Sequence, residues 1–512
     1  MSHVSPIETV PRPGRVEPHR LSELARLVSG QVAGAGGADL AVTDLAVTGI
    51  TSSSGRTQRG DLFAALPGRA CHGAQFAPEA LAGGAAAVLT DPGGAALLPA
   101  GTATVVVDDV RARLGEVAAE IYGRPSRAMA VLGVTGTSGK TTTTFLVGAG
   151  LAAAGRSSGL IGTVATMIGD TAVKTGFTTP EAPDVQALLA VMRERGADTV
   201  AMEVSSHALA MGRADGIDFA VGAFTNLSQD HLDFHNDMDD YFAAKARLFD
   251  GRTRVPVVVV DDEWGRRLAG LVGPSAVTVS TTEAPATWRA GDIHIDVDGS
   301  TSFEVHGPGG DFAAGCRVPG AYNVANAVLA LAILDAAGVP ADQAAPAVAA
   351  ATVPGRMERI DLGQPFLAIV DYSHKPAAVE GALRALRPLT KGRLIIVLGC
   401  GGDRDRAKRP LMGAVAARDA DLLIVTDDNP RSEDPAAIRA AMIAGVPAPL
   451  RGRVREVGDR AEAVEAAVAA TGPHDTVLIA GKGHEAGQEV TGVVHPFDDR
   501  DVVRRAIQER IG

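Results

Sequence analysis

The feature that most constrains this chain is a glycine-rich stretch, Gly133–Thr142, with the sequence GVTGTSGKTT. An apolar run, residues 128–134, comes before it, and a helix-forming run, residues 143–154, comes after it. A strand, a glycine turn and a helix in this order cradle a polyphosphate, because the turn aims backbone N–H groups inward and the helix adds its positive end. The pattern therefore predicts a nucleoside triphosphate site.

Single residues of this loop have expected roles. Lys140 is expected to reach the β- and γ-phosphates, and Thr141 to offer its hydroxyl to Mg²⁺. The strict form of the pattern has glycine at position 134, where this chain has valine. The residues predicted to bind the triphosphate are Gly136, Thr137, Ser138, Gly139, Lys140, Thr141 and Thr142.

Length and composition limit the architecture and the partners. At about 150 residues per domain, 512 residues suggest roughly three domains. A net charge of −12 argues against broad binding of nucleic acid or anionic membranes. No apolar run is long enough to span a bilayer. The three cysteines, Cys71, Cys316 and Cys400, have no metal-ligand or disulfide spacing, which favours the reducing cytoplasm.

Alternating strands and helices predict an α/β fold class with largely parallel sheets in three domains. The predicted parts are a disordered tail over 1–20, a mixed α/β domain over 21–126, a doubly wound parallel sheet around the glycine loop over 127–353, and a Rossmann-like sheet over 354–512. Within the central part, residues 292–318 alternate polar and apolar side chains and predict an antiparallel appendage. The last sheet has no G-x-G-x-x-G at its first turn, so dinucleotide binding is not supported.

Polar side chains gather where strands of the central sheet end. Glu203 directly follows an apolar strand, where a carboxylate can hold Mg²⁺ opposite the phosphate loop. The stretch Asn226–His235 adds histidines and carboxylates, among them His231. Lys245 lies on an amphipathic helix, and this pattern predicts a solvent-exposed lysine.

Three charged loops close strands of the last sheet. They are Gly399–Asp405, Asp427–Arg431 and Gly481–Glu485. Because the carboxyl ends of parallel strands meet at one edge of a sheet, we expect these loops to converge on one crevice. Arginines there would bind a carboxylate and acids an ammonium, so the loops predict a site for a zwitterion. The residues expected to hold it are Arg404, Asp428, Arg431 and Glu485.

With these residues assembled, the chain resembles the Mur ligases, and among them the ligases that add diaminopimelate to a peptidoglycan precursor. The resemblance runs from Leu40 to Asp501 and depends on eight motifs in combination. The motifs are Thr135–Thr142, Glu203–His207, Asp230–Asp233, Gly320–Asn326, Pro354–Glu358, Asp371–His374, Asp428–Arg431 and Gly481–Glu485.

The resemblance implies an ATP-dependent acid–amino-acid ligase. Such an enzyme joins diaminopimelate to the D-glutamate γ-carboxylate of UDP-N-acetylmuramoyl-L-alanyl-D-glutamate through an acyl phosphate, with Mg²⁺ as cofactor and ATP as co-substrate. The implied partners are these three substrates, without nucleic acid or membrane insertion. The expected location is the cytoplasm, and the expected state is a monomer.

The resemblance also implies roles for individual residues. The implied catalytic residues are Lys140, Glu203, His231 and Lys245, and the implied Mg²⁺ ligands are Thr141, Glu203, His231 and Lys245 as a carbamate. Further implied ATP contacts are Asn323, Arg356 and Asp371. The sugar–dipeptide would contact Ser54, Thr178, Thr179, Ser205 and Arg213. Diaminopimelate would contact Arg404, Asp428, Asn429, Pro430, Arg431, Gly481 and Glu485.

Some positions depart from the family pattern. Gly55 stands where many members have arginine, and Met211 and Phe177 also differ from some relatives. A lysine-adding Mur ligase and a folylpolyglutamate-synthase-like ligase remain alternatives at this point. A kinase or ATPase would use the same loop without an amine-binding domain, and a non-catalytic binding protein would not need the acidic metal candidates.

Overall fold

The structure is a computed structural model that describes residues 7–34, 44–68, 70–282, 285–296 and 299–511. The described chain forms two compact units. The first comprises the described residues up to Arg289 together with Val328–Ala344, and the second comprises Ala290–Ala327 together with the residues from Ala345 onwards.

The first unit is built from two large sheets, a small antiparallel pair of β1 and β3, and the helices that cover them. Its strands are β1 (His19–Arg20), β2 (Gln31–Ala33), β3 (Ala46–Val47), β4 (Gly49–Thr51), β5 (Asp61–Ala64), β6 (Ala87–Thr90), β7 (Thr104–Val106), β8 (Ala130–Thr135), β9 (Ser158–Ile161), β10 (Thr166–Ile168), β11 (Thr171–Val173), β12 (Thr199–Glu203), β13 (Phe219–Phe224), β14 (Thr253–Val259), β15 (Val277–Ser280) and the start of β16 (Trp288–Ile295). Its helices are Leu21–Leu27, Ala77–Ala82, Pro92–Ala95, Val110–Ile121, Lys140–Ala153, Ala182–Glu194, Ser206–Ala210, Met238–Ala246 and Glu263–Val272.

The remaining elements belong wholly or partly to the second unit. The strands are β17 (Thr301–Gly307), β18 (Gly310–Cys316), β19 (Glu358–Ile360), β20 (Leu367–Asp371), β21 (Leu394–Leu398), β22 (Leu422–Val425), β23 (Val454–Glu456), β24 (Thr476–Ala480), β25 (Gly487–Val490) and β26 (Val493–Pro496). The helices are Tyr322–Ala336 and Ala341–Ala350, which each belong to both units, and Pro376–Leu386, Lys408–Asp419, Pro435–Ala444, Arg460–Ala470 and Asp499–Ile511.

The central sheet of the first unit places the glycine loop at its middle. The strand order is β11-β10-β9-β12-β8-β13-β14-β15-β16, in which β8 lies between two parallel neighbours. Val134 of β8 pairs with Glu203 of β12, and Thr135 pairs with Phe224 of β13. This register brings the end of β12 beside the glycine loop, as the sequence predicts. The near-continuous apolar runs of β8 and β12 fit strands that are buried on both faces.

The N-terminal sheet has the order β2-β7-β6-β5-β4, with β2 antiparallel and the other strands parallel. It shares the helix Ala182–Glu194 with the central sheet, because Ala182, Ala187 and Ala190 belong to the core of the N-terminal sheet while Leu188 and Leu189 belong to the central core. This shared core explains why both sheets fall in one compact unit. The boundaries expected after residues 126 and 353 stay predictions.

Part of the segment predicted as a disordered tail instead makes defined contacts. The backbone N–H of Ile7 donates to the carbonyl of Ala172 (2.9 Å), at the edge of the central sheet. The backbone N–H of Gly14 donates to Glu194 Oε2 (3.0 Å), and the Arg12 guanidinium pairs with Asp61. These contacts hold residues 7–20 against both sheets, whereas residues 1–6 lie outside the described residues.

The second unit confirms the Rossmann-like part of the predicted fold class. Its main sheet has the order β19-β20-β24-β21-β22-β23, with every strand parallel except β19. The predicted antiparallel appendage is present as the β17–β18 hairpin. No helix among the residues described in either unit is long and apolar enough to cross a bilayer.

A buried ion pair joins the last two helices of the second unit. Arg460 Nε and Nη2 donate to the Asp499 carboxylate at 2.8 and 2.7 Å, and neither side chain is exposed to solvent. Arg460 Nη2 also donates to the carbonyl of Ala480 at the end of β24 (2.9 Å). Removing one partner of such a pair leaves the other charge buried without compensation.

We therefore expect Arg460→Ala to lower the free energy of unfolding of the second unit by about 3–5 kcal/mol. Urea unfolding followed by circular dichroism measures this loss. Arg505→Ala is the matched control, because Arg505 and Glu465 join the same two helices at 3.8 Å on the exposed surface. Equal losses for both variants would contradict the expectation.

Candidate active site

The glycine loop has a backbone that requires glycine. Gly136 has a φ of 145°, and a Cβ added there would lie 1.8 Å from Thr225 Oγ1. Gly139 has a φ of 87° and directly precedes the helix that begins at Lys140. The segment that follows β13 contacts the glycine loop, because Asn226 Oδ1 accepts from the N–H of Ser138 (3.1 Å). The strand, turn and helix expected from the sequence are all present.

Two lysines face one carbonyl oxygen of this loop. Lys140 Nζ donates to the Gly136 carbonyl (2.8 Å) and to the Thr137 carbonyl (2.9 Å). Lys245 Nζ donates to the same Gly136 carbonyl (2.6 Å) and lies 4.6 Å from the centre of the Tyr241 ring. The prediction of a solvent-exposed Lys245 is therefore wrong, since the residue is 1% exposed. The helix Met238–Ala246 directs the Lys245 side chain towards the glycine loop rather than towards water.

A buried carboxylate stands beside the first turn of the loop helix. Thr141 Oγ1 donates to Glu203 Oε2 (3.0 Å), so the hydroxyl and the carboxylate predicted to hold Mg²⁺ lie together. The backbone N–H of Thr163 donates to Glu203 Oε1 (2.8 Å), and its hydroxyl donates to Glu203 Oε2 (3.1 Å). Thr142 is also buried in this turn. These hydrogen bonds stabilise a carboxylate that is 1% exposed.

The donor set at this place fits Mg²⁺ in its chemistry. A threonine hydroxyl and a carboxylate are oxygen ligands of the kind that Mg²⁺ prefers next to phosphates. Within the described residues, no group of three or more His, Cys, Asp or Glu side chains is arranged to hold a metal ion. A site here would therefore complete its coordination with substrate phosphates, water or a modified Lys245.

Histidines cluster after β13. The rings of His207 and His231 are 4.7 Å apart, and His231 Nε2 lies 3.2 Å from Asp230 Oδ2. His231 has a φ of 53°, an uncommon conformation for a residue with a side chain. Burial lowers the pKa of His207, and the neighbouring His235 lowers it further. Burial also lowers the pKa of His235, although Asp240 opposes this.

Four residues expected at the sugar–dipeptide site form a connected group beside Glu203. Thr179 Oγ1 donates to the Glu203 carbonyl (2.8 Å) and accepts from the N–H of Ser205 (3.2 Å). Arg213 Nη1 lies 3.4 Å from the Thr179 carbonyl. The hydroxyls of Thr178 and Thr163 are 2.9 Å apart, and Thr163 in turn donates to Glu203.

Two departures from the family pattern meet at Arg213. Its guanidinium lies 4.2 Å from the centre of the Phe177 ring and 3.7 Å from Met211 Sδ. Arg213 Nε also lies 2.9 Å from Glu181 Oε1. An aromatic face, a thioether and a carboxylate therefore orient this arginine.

Ser54, which is predicted to contact the sugar–dipeptide, begins a short 3₁₀ turn that ends at Arg56. Arg56 Nη2 donates to Asp184 Oδ2 (2.8 Å), so the arginine beside Gly55 is held by the central sheet's helix. Arg12 Nη2 donates to the Arg56 carbonyl (3.3 Å). The N-terminal segment thus helps to fix the backbone of this turn.

In the second unit, the Asp371 carboxylate accepts from the backbone N–H groups of Met357 (2.8 Å) and Ser373 (2.9 Å). The Arg356 guanidinium lies over the Tyr372 ring at 4.2 Å, and burial raises the pKa of Tyr372 to about 12. These bonds fix the turn that follows β20.

Asn323, the other predicted ATP contact of the second unit, is buried near the start of its helix. Its Nδ2 donates to the Pro319 carbonyl (2.8 Å), and its Oδ1 accepts from Asn326 Nδ2 (2.8 Å). The expected roles of Asn323, Arg356 and Asp371 towards ATP stay predictions.

The loops after β22 and β24 meet through a buried lysine that the sequence analysis did not single out. Lys482 Nζ donates to Asn429 Oδ1 (3.0 Å) and to Glu485 Oε2 (3.0 Å). Asn429 Nδ2 donates to the same Glu485 oxygen (2.9 Å). Gly481 passes so close to Asp428 that an added Cβ would lie 2.8 Å from its Oδ2. The loops therefore converge as expected.

Arg431 stands at the end of this group with a φ of 52°. Its Nε donates to Glu489 Oε2 (3.0 Å), and its Nη1 donates to the Gly402 carbonyl (2.8 Å), which links it to the loop after β21. Arg404, on the same loop, has its Nη1 3.4 Å from the Asp403 carbonyl. Pro430 is buried between Asn429 and Arg431. The sequence analysis missed Glu489, because it lies beyond the recognised motifs.

Comparisons with known proteins fit this arrangement. Residues 46–122 match the profile described as Mur ligase family, catalytic domain. Residues 134–334 match the Mur ligase middle domain, and residues 355–483 match the Mur ligase glutamate ligase domain. The three profiles follow one another along the chain without overlap.

Individual relatives match over nearly the whole length. A UDP-N-acetylmuramoyl-L-alanyl-D-glutamate–2,6-diaminopimelate ligase from Streptomyces avermitilis is 54% identical over 510 residues, covering 98% of this chain and 99% of that protein. A protein of the same name from Corynebacterium efficiens is 50% identical over 501 residues, covering 95% and 94%. A solved structure of a ligase with this name is 34% identical, has a TM-score of 0.66 and covers 91% of this chain and 96% of that one. The chain belongs to the Mur ligase family.

Proposed function

We propose that this chain is the ATP-dependent ligase that adds diaminopimelate to the D-glutamate γ-carboxylate of UDP-N-acetylmuramoyl-L-alanyl-D-glutamate, in peptidoglycan precursor synthesis. The observation that carries the proposal is the 54% identity to a relative of that name over nearly the full length of both chains. The site geometry supplies the phosphate loop, the buried acid and the arginine-containing loop that such a reaction needs. The proposed location is the cytoplasm, and the proposed state is a monomer.

In the first chemical step a carboxylate attacks the γ-phosphate of ATP, the bond to the β–γ bridging oxygen breaks, and an acyl phosphate forms as ADP leaves. Because both reactants are anionic, their approach requires positive charge at the phosphate. Lys140 is the cation that we assign to this task, since it begins the loop helix and its ammonium already lies against loop carbonyls. The N–H groups of the helix start add partial positive charge.

We assign Mg²⁺ to the pair formed by Thr141 and Glu203, with His231 as a further candidate ligand. Bound there, the metal would supply Lewis-acid neutralisation of the phosphate oxygens. The chain's own part is to orient the Glu203 carboxylate, which the Thr163 hydrogen bonds do.

The position of Lys245 supports its proposed carbamylation. The ammonium groups of Lys140 and Lys245 both donate to the Gly136 carbonyl, and Lys245 is buried there. A carbamate would replace the positive charge of Lys245 with a negative one and offer oxygen ligands to Mg²⁺. It would also attract Lys140 instead of repelling it.

In the second step, the amine of diaminopimelate attacks the acyl phosphate, and phosphate leaves. We assign the amino-acid site to the loop Asp428–Arg431 with Arg404, Gly481 and Glu485. Arg431 is the proposed partner of the second carboxylate of diaminopimelate, because a guanidinium binds a carboxylate through paired hydrogen bonds. A lysine-adding enzyme would have no such carboxylate to bind.

The direct test is phosphate release from ATP by the purified protein with Mg²⁺ and the UDP-muramoyl dipeptide. Separate reactions contain meso-diaminopimelate, LL-diaminopimelate, lysine, or no amino acid. We expect release only with a diaminopimelate isomer, together with the matching mass gain of the nucleotide product. Stimulation by lysine alone would overturn the assigned amino acid, and ligation of a folate substrate would favour the folylpolyglutamate alternative.

Lys140→Ala is expected to lower kcat by at least about 10²-fold, because one preorganised cation at the reacting phosphate is lost. The measurement is steady-state ligation at saturating substrates. Lys174→Ala is the control, since Lys174 pairs with Glu8 on the exposed surface of the same unit. Ligation at the normal rate by the Lys140 variant would refute the assignment of the phosphate loop.

Carbamylation predicts that Lys245→Arg is as inactive as Lys245→Ala, although arginine keeps the positive charge. Unsubstituted protein that is supplied with ¹³C-bicarbonate should show one carbamate carbon signal in its NMR spectrum. This signal should be absent from the spectra of both variants. An active Lys245→Arg protein would show that the positive charge, and not a carbamate, is what the site uses.

Arg431→Ala is expected to weaken the binding of diaminopimelate by about 2–4 kcal/mol, because a charged paired hydrogen bond is lost. This loss corresponds to a rise in the KM for diaminopimelate of roughly 30- to 800-fold. The KM values for ATP and for the UDP-linked substrate should stay unchanged. Arg384→Ala, which removes an exposed arginine of the same unit, serves as the control. An unchanged KM for diaminopimelate would remove Arg431 from the site.

A further inference from the structure

The β25–β26 hairpin is fastened to the proposed amino-acid loop by both backbone and side chains. The N–H of Arg431 donates to the Glu489 carbonyl (3.0 Å), and the N–H of Thr491 donates to the Arg431 carbonyl (2.8 Å). Gln488 Nε2 donates to the Asp428 carbonyl (2.7 Å), and the N–H of Glu489 donates to Asn429 Oδ1 (2.9 Å). Residues 488–491 therefore brace the loop along its whole length.

This brace also reaches the guanidinium of Arg431. Glu489 Oε2 accepts from Arg431 Nε at 3.0 Å, and the two side chains are 38% and 22% exposed. Arg431 Nη1 donates to the Gly402 carbonyl, and an added Cβ at Gly401 would lie 3.0 Å from that nitrogen. The guanidinium is thus held from two sides, by an acid on the hairpin and by the glycine turn after β21.

We propose that Glu489 is a positioning residue that determines which edge of the Arg431 guanidinium faces the second carboxylate of diaminopimelate. The proposal rests on the proposed function of this loop. Glu489 is not among the residues that the recognised motifs include, and it does not touch the reacting atoms in this assignment.

The number of hydrogens on a guanidinium limits how it can bind a second carboxylate. Nε carries one hydrogen, whereas Nη1 and Nη2 carry two each, and a carboxylate binds two parallel N–H groups. Glu489 takes the single hydrogen of Nε, so a second carboxylate cannot bind in the side-on mode that uses Nε. Nη1 gives one of its two hydrogens to the Gly402 carbonyl, so the end formed by Nη1 and Nη2 keeps one hydrogen on Nη1 and two on Nη2 for bidentate binding.

The same contact limits the rotation of a long side chain. A long arginine side chain loses rotamer entropy when it is fixed. If Glu489 fixes the guanidinium before the substrate arrives, part of this cost is met in the unliganded enzyme. The consequence is a lower KM for diaminopimelate without a change in the chemical step.

The test compares Glu489→Ala and Glu489→Gln in the full-length enzyme by steady-state kinetics. Glu489→Ala should raise the KM for diaminopimelate about fivefold, the upper range for a partly exposed ion pair. Its kcat and its KM for ATP should equal those of the unsubstituted enzyme. Glu489→Gln keeps an oxygen acceptor for Nε and should return the KM to within about twofold of normal.

A double-variant comparison separates orientation from other effects. If Glu489 acts through Arg431, adding Glu489→Ala to Arg431→Ala should change the KM no further. His495→Ala is the control for disturbance of the hairpin, because His495 is exposed on β26. This variant should behave as the unsubstituted enzyme.

The outcomes distinguish this inference from the proposed function. An unsubstituted enzyme that fails to ligate diaminopimelate would refute the proposed function itself. Normal ligation together with an unchanged or lower KM in Glu489→Ala would overturn only the role of Glu489. An equal rise in KM in His495→Ala, or in Glu489→Ala on the Arg431→Ala background, would also overturn it.

Discussion

The carbonyl of Gly136 is the point on which the first unit's site depends. Gly136 has a φ of 145°, and a side chain at this position would clash with Thr225. Only glycine therefore fits the conformation in which this carbonyl faces two lysines. Lys140 comes from the helix that follows the loop, and Lys245 comes from a helix about a hundred residues later. A glycine conformation therefore brings two lysines from distant parts of the sequence to one carbonyl oxygen.

The second unit also contains buried charged side chains, and these are compensated by their hydrogen-bond and ion-pair partners. Lys482 is buried, and it is compatible with burial because Asn429 and Glu485 accept its hydrogen bonds. Arg460 is equally buried beneath the same loops and is paired with Asp499. Such arrangements hold loops in one conformation, since any movement would leave a buried charge without its partner. A rigid loop suits an enzyme that must distinguish similar amino acids.

Local patterns in the sequence predicted the main strands and the glycine loop, because each depends on neighbouring residues. The apolar run before the glycine loop, residues 128–134, overlaps β8 (Ala130–Thr135), and the helix-forming run after it overlaps the helix Lys140–Ala153. The burial of Lys245 was not predictable in this way. Its helix has an ordinary amphipathic pattern, and only the distant Gly136 carbonyl shows which face is buried. The contacts of residues 7–20 were not predictable for the same reason, since Ile7 bonds to the distant Ala172.

At the proposed amino-acid site, too, the sequence motif leaves out contacts that only the structure shows. The motif Asp428–Arg431 identifies the loop, but it does not say how the Arg431 side chain is oriented. That orientation depends on Glu489, which is 58 residues away in sequence, and on the Gly402 carbonyl of a third loop. A residue that contacts a motif but lies outside it in the sequence cannot be found from the motif. On the proposed assignment, specificity for the amino acid would depend on the packed loops and the hairpin together, and substituting a motif residue would test only part of it.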